Sequence, residues 1–371
     1  MDGFARSTGL EGTSPQRRYL WTDAFAVCNF LGLAGVTGES RYRDLALQLV
    51  DRVHGTLGRH RRDDPRSGWI SGLDEVEGRD HPTMGGLRIG KPSPERGQGE
   101  PADPEAEWDR DGQYYHYLTK WMHALLRVWQ ETGDPTYHRW ATELAAFSQR
   151  AFETPDGSRL YWKISIDGSR PQVPSSGLHD PLDGLLTLAS LMEDRPETAS
   201  SLTEALEKAM RDLSRMCQGG SWRTQDPLGA GSLLVDLYRG ARLGSRVPLV
   251  DGLLPRVLRD AIDSLRLAVA HGGWRQPASR RIAFREIGLA IGLRSADRLI
   301  GPGRDELGSS GLDVAAVLDP LIPTLRPLAE EIERFWMTPE HREADGWSAH
   351  RDISIVMLAT SLHPAGFLGP G

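Results

Sequence analysis

The sequence predicts an all-α fold in which helical hairpins repeat around a ring, an α/α toroid. Three observations carry this. Apolar residues recur at helical spacing along the chain, with no convincing series of alternating strands. Mostly apolar helices alternate with two-faced ones, the pattern of an inner and an outer layer. One turn pattern also recurs: Thr37-Gly38-Glu39-x-x-Tyr42-x-x-Leu45-Ala46-x-x-Leu49 aligns with Thr132-Gly133-Asp134-x-x-Tyr137-x-x-Trp140-Ala141-x-x-Leu144.

Met1 to Pro15 is rich in Gly, Ser and Thr and reads as a loose tail. The first helix is expected over about 23–33, apolar almost all round and so buried on most sides. A second, over 40–57, places Tyr42, Leu45, Ala46, Leu49 and Val53 on one face. The pairing repeats as 113–131 with 135–152, 181–192 with 200–217, 228–243 with 249–270 and 280–300 with 312–336, and an inner-type helix over 348–362 closes the series. In the shared turn, Gly ends one helix and the acid sits near the positive end of the next. Hairpins of this length must stack on neighbours to bury their apolar faces. Small residues at Gly229-Ala230-Gly231, Gly288 and Gly292 suit close approach around a narrow axis, which favours a ring over an open solenoid. Inner-to-outer turns are short, whereas most outer-to-inner loops are long and rich in Trp, Gly and charge, as a pocket rim would be. The longest, 58–107, is too polar in its second half for a core and reads as a lid within a single domain spanning 1–371.

Composition narrows the function. Hydrophobic residues make up 39% of the 371-residue chain, enough for a core, and the net charge of −7 argues against a nucleic-acid partner. Eleven Trp against eight Phe is an unusual ratio, and indoles offer flat apolar faces for packing or ligand stacking. Cys28 and Cys217 lie in apolar helical runs without metal spacing and read as buried reduced thiols. No basic-plus-apolar leader and no continuous apolar run of about 18 residues is seen, so a cytoplasmic protein without membrane contact is expected. Phosphate-loop, HExxH, GxSxG and dinucleotide fingerprints are missing from the sequence.

The TGES and TGDP turns, the hairpin count and the Trp-bearing loops ahead of inner helices resemble the six-hairpin glycosidase-like superfamily, over roughly Tyr19 to His363. That superfamily includes the N-acylglucosamine 2-epimerase and unsaturated glucuronyl hydrolase types. The resemblance implies a small-molecule sugar or saccharide bound on the axis, where long loops and inner-helix N-termini meet. With the motifs named above missing, neither a cofactor nor a metal is expected.

The candidate residues follow from those entrances. Trp21, Trp108, Trp222, Trp274 and Trp347 each stand shortly before an inner helix, either to stack on a sugar or to plug gaps between hairpins. Asp109 and Asp111 flank Arg110 in the densest stretch, Trp108 to Tyr117, as catalytic carboxylates or as caps of the following helix. Tyr114, His116 and Lys120 lie at the start of that helix, where His116, Lys120, His123 and Arg127 form a polar stripe. Asp180, before Pro181, reads as a cap with Asp183 in support, leaving His179 for the pocket; Asp226 reads as another cap. Arg281 beside Glu286 forms either a substrate anchor with a base or an internal ion pair. His350 and Asp352 open the last inner helix. The leading reading is glycosidase-like hydrolysis by Asp111 or Asp109 with Asp352, Glu286 or Asp23 across the ring. The alternatives are a cofactor-free sugar epimerase or isomerase using His179 and His350, in which a group titrating near neutrality moves the proton, and a non-catalytic saccharide-binding or scaffold protein.

Overall fold

A computed structural model describes residues 1–196, 202–271, 273–302 and 307–369. The chain is organised as two compact units, Asp2–Met216 and Cys217–Gly371.

The first unit holds three helical hairpins: α1 (Leu20–Thr37) with α2 (Ser40–Leu57), α3 (Tyr115–Thr132) with α4 (Pro135–Phe152), and α5 (Asp180–Glu193) with α6 (Thr203–Met216). α1 packs on α3, and α3 on α5. By length and composition α1 is apolar enough to cross a membrane, yet it carries buried Asp23 and Asn29 and packs against α2 and α3.

The repeated Thr-Gly-acid turn has a shared local cause. Gly38 and Gly133 adopt φ of 71° and 69°, a left-handed cap that a side chain disfavours. The Thr37 and Thr132 hydroxyls each donate to the carbonyl four residues back, at 2.8 Å, and accept the amide of the following acid at 3.2 Å. Asp134 then caps α4 by accepting the Thr136 amide, while the longer Glu39 makes no such bond.

Two segments are more ordered than the sequence implies. The expected loose tail contains a helix, Asp2–Ser7, with Phe4 and Ala5 wholly buried, and Arg18 donates to the Thr8 carbonyl. The loop 58–107 contributes buried Trp69, Ile70 and Leu87, and Ile89 lies in the half judged too polar for a core. Backbone pairing explains this, because Ile89 accepts from the Leu20 amide and donates to Gly112. A small antiparallel sheet, β1 (Gln113–Tyr114), β2 (Lys163–Ile164) and β3 (Pro171–Val173), leaves no trace in the sequence pattern, its strands being too short for any alternation.

The second unit contains α7 (Pro227–Leu243), α8 (Leu254–His271), α9 (Ala283–Ile300), α10 (Ser309–Leu318), α11 (Ile322–Met337) and α12 (Arg351–Leu362). α9 packs against α7, α11 and α12. A Cβ on Gly231 would lie 2.0 Å from the Gly288 carbonyl oxygen, so the glycines of α7 and α9 permit the close approach expected of them. The single helix expected over 312–336 is divided between α10 and α11, because Pro320 and Pro323 interrupt the backbone ladder. The start expected at 200 falls partly outside the described residues. Cys28 and Cys217 are buried free thiols, which burial pushes up to about 12.

Candidate active site

The entrance of α3 is built by short-range geometry. β1 runs straight into α3, whose N-cap Tyr114 is extended and caps nothing with its side chain. Pairing of β1 with β2 brings Trp162, the residue before β2, against Tyr114 at 4.8 Å between ring centres. His116 stacks on Tyr114 at 5.4 Å, and Trp108, 57% exposed, meets Trp162 edge-on at 4.9 Å. From the first turn of α1, Trp21 reaches Tyr117 at 5.3 Å and His116 at 6.0 Å, and the Tyr19 and Tyr117 hydroxyls share a hydrogen bond of 2.6 Å. The result is an aromatic wall with partly open rings, a surface suited to stacking on a flat apolar face.

The polar stripe of α3 faces the start of α5. Lys120 donates to Asp183 at 2.8 Å and Thr119 to the same oxygen at 2.5 Å. One turn earlier, His116 Nδ1 lies 3.8 Å from Asp180 Oδ1. Gly184 makes this approach possible: a Cβ there would sit 2.2 Å from the Tyr115 hydroxyl.

Asp180 is not the cap expected from the Asp-Pro pair. It is the first residue of α5, the N-cap is His179, and His179 makes no capping bond. The Asp180 carboxyl instead folds back to the amide of Gly177, where a Cβ would collide with it at 2.3 Å. Its Oδ2, His116 Nδ1 and the Tyr114 hydroxyl are buried and have no hydrogen-bond partner among the described residues. Burial first, then the neighbouring Asp183 carboxylate, pushes Asp180 up to about 7. Burial, with the Lys120 ammonium in support, lowers His116 to about 3, so the imidazole is neutral. A carboxyl titrating near neutrality beside a neutral imidazole is an acid–base pair in reserve.

The other expected residues are placed differently. Asp111 is wholly buried, ion-paired to Arg88 at 2.9 Å and Arg61 at 3.3 Å, and accepts the Gly90, Lys91 and Gly112 amides. It therefore anchors the long loop rather than capping α3, and its oxygens are committed. Asp109 is exposed beside it. Asp23 is buried against Arg18 and accepts the Tyr19 amide at 3.0 Å. In the second unit, Glu286 receives a forked pair of bonds from Arg281, at 2.8 and 2.6 Å, and a third from the Trp336 indole at 2.8 Å, which is the internal ion pair. Trp222 and Trp347, 5% and 3% exposed, pack inside that unit beneath Arg256 and against Trp336 rather than on a rim. Trp274 donates to the Val269 carbonyl at 3.2 Å. His350 is exposed and meets Phe284 edge-on, Asp352 is half-buried, and His179 is half-buried at the mouth of α5.

The structure thus brings Trp21, Trp108, Tyr114, His116 and Lys120 together, and it adds Asp180, Asp183, Tyr19, Tyr117 and Trp162. The signal for the two acids was present: a spacing of three on α5 opposes the spacing of four between His116 and Lys120. Only the packing of α3 on α5 turns those spacings into a match.

No family model matches the chain, and neither does any curated protein. Among solved structures, cellobiose 2-epimerase from Spirochaeta thermophila is similar over 93% of this chain and 86% of its own, with a TM-score of 0.50 and 13% identity. A GH76 α-mannanase from Bacteroides thetaiotaomicron matches 80% of this chain and 73% of its own, at a TM-score of 0.45 and 10% identity. Likeness at such low identity concerns the fold alone, and that fold is the all-α, α/α-toroid class.

Proposed function

We propose that the chain is a carbohydrate-active enzyme that holds a saccharide against the Trp21–Tyr114–Trp162–Trp108 wall and cleaves its glycosidic bond with Asp180 as proton donor. One observation carries this reading: Asp180 is poised near pH 7, with an unpartnered oxygen, next to His116 at the foot of the wall. Protonation of a leaving glycosidic oxygen needs a carboxyl that is still protonated near neutral pH. Asp183, paired with Lys120, supplies the second carboxylate and the like charge that keeps the proton on Asp180. The likeness in fold to a cellobiose 2-epimerase supports the substrate class.

The same carboxyl favours a second reading. Asp180, raised to about 7 and 3.8 Å from His116, can in its ionised form take a proton from beside a sugar carbonyl and return it, which is epimerisation. Incubation with a panel of disaccharides and oligosaccharides in D₂O separates the two. Hydrolysis releases new reducing ends, whereas epimerisation puts deuterium at C2 of an intact chain. On any saccharide turned over, Asp180→Asn should lower kcat by about 10²–10⁴-fold with little change in KM. A variant as active as the wild type removes Asp180 from the chemistry and sinks the proposal.

A further inference from the structure

We propose that His116 relays the protonation state of Asp180 to the ligand face of the aromatic wall. Its outward Nε2 offers a proton while Asp180 holds one, and a lone pair once Asp180 has lost it. The relay rests on the reading of Asp180 as the acid of this site, and it makes the ligand group met by Nε2 a hydroxyl.

The geometry supplies both ends. In the first turn of α3, the His116 side chain is 25% exposed, and its Nδ1 is buried 3.8 Å from Asp180 Oδ1. Nε2 has no hydrogen-bond partner among the described residues and, unlike Nδ1, is not buried, so it is the open polar atom of the ring. Tyr114 and Trp162 lie nearly parallel to the imidazole, and Tyr117 meets it edge-on at 4.9 Å. These contacts hold it between an inner and an outer face.

A neutral imidazole carries one ring proton, and the partner of one nitrogen decides which nitrogen keeps it. Burial lowers His116 to about 3, so the ring is neutral. With Asp180 protonated, its O–H faces Nδ1 as donor, and the ring proton stays on Nε2. With Asp180 ionised, the carboxylate favours a facing Nδ1–H, because a charge at 3.8 Å in a buried setting is weakly screened. Between the two states the carboxyl proton passes to Nδ1 and the Nε2 proton leaves to solvent, one proton in all. A hydroxyl suits both states because its O–H rotates to donate or accept, whereas an acceptor-only group fits only while Asp180 is protonated.

The other ionisable groups around the ring come from three elements. Tyr19, ahead of α1, and Tyr114 and Tyr117 at the entrance of α3 are all raised by burial. Asp183 of α5 is ion-paired to Lys120 of α3 at 2.8 Å. His179, beside Asp180 in the chain, is the other group whose ordinary range spans neutrality.

The test uses the full chain with ¹⁵N in its histidine rings and ¹³C in its aspartate carboxyls, followed by NMR from about pH 5 to about pH 9. His116 is assigned from His116→Gln and Asp180 from Asp180→Asn. As pH rises, the His116 nitrogens should exchange protonated for unprotonated character, with the ring neutral throughout and the midpoint that of the Asp180 carboxyl. The tautomer ratio should change by at least about tenfold. Asp180→Asn should abolish the exchange, and His179→Gln should leave it. If Asp180 titrates near neutrality while the tautomer stays fixed, the relay is overturned and the reading of Asp180 as the acid stands. If Asp180 ionises as an ordinary carboxylate, both fall. A ring that charges within this range, an exchange kept in Asp180→Asn, or one lost in His179→Gln also overturns the relay.

Discussion

Asp180 makes a stability prediction that needs no substrate. Its side chain is 8% exposed, and its carboxyl rises from the usual 3.8 to about 7 on folding. The folded chain therefore binds this proton more tightly than the unfolded one does. The contribution to stability is fully present below about pH 4 and is lost as pH rises through about 7. At about 1.36 kcal/mol for each tenfold, the whole excursion is worth about 4 kcal/mol. Asn has the same shape and no charge to bury, so Asp180→Asn escapes this loss. Urea unfolding of both proteins from pH 4.5 to 8.5 measures the difference directly. The variant should gain on the wild type as pH rises, by about 2–4 kcal/mol at the upper end, with the gain levelling off above about pH 7.5. A difference that stays flat with pH means that Asp180 titrates as an ordinary carboxylate. The acid–base reading would then lose its foundation.

Two further perturbations test how the site and the fold are held. Lys163 is fully buried and donates to the Glu107 carbonyl at 2.7 Å, the Glu107 carboxylate at 3.1 Å and the Arg110 carbonyl at 2.9 Å, fixing the loop that presents Trp108. Lys163→Met leaves Glu107 with Arg96 as its remaining ion partner and should cost about 3–5 kcal/mol in denaturant unfolding, with KM for a saccharide rising as the loop loosens; unchanged stability refutes the anchoring role. In the second unit, Gly231→Ala would press a methyl onto the Gly288 carbonyl and should cost at least about 1–3 kcal/mol, read as a fall in melting temperature, whereas an unshifted melting curve means that α7 and α9 are not in close contact.

Much of the architecture was legible because it rests on local rules. The α2 and α4 boundaries follow from the Gly caps and the Ser40 and Pro135 starts, and the Thr hydroxyl bonds explain why the same turn recurs. What eluded reading was two-stranded or long-range. Residues as short as Gln113–Tyr114 carry no periodicity, and Phe4 looks unremarkable in a Gly/Ser-rich segment until its neighbours cover it.

The site divides along the same line. By itself the sequence determined that Trp21, Trp108, Tyr114, His116 and Lys120 stand at helix entrances, because spacing along one helix fixes which side chains share a face. It did not determine which acid matters. Asp111, Asp23 and Glu286 lie close in sequence to other chemistry, yet each is consumed by an arginine and further donors. Asp180 read as a cap because Asp-Pro is a strong local signal. Tertiary structure alone decided otherwise: with α3 packed on α5, the carboxyl loses water, gains Asp183 as a neighbour and is left without a partner for one oxygen. Desolvation and like charge act through space and set a pKa, whereas a sequence pattern reports only what lies along the chain.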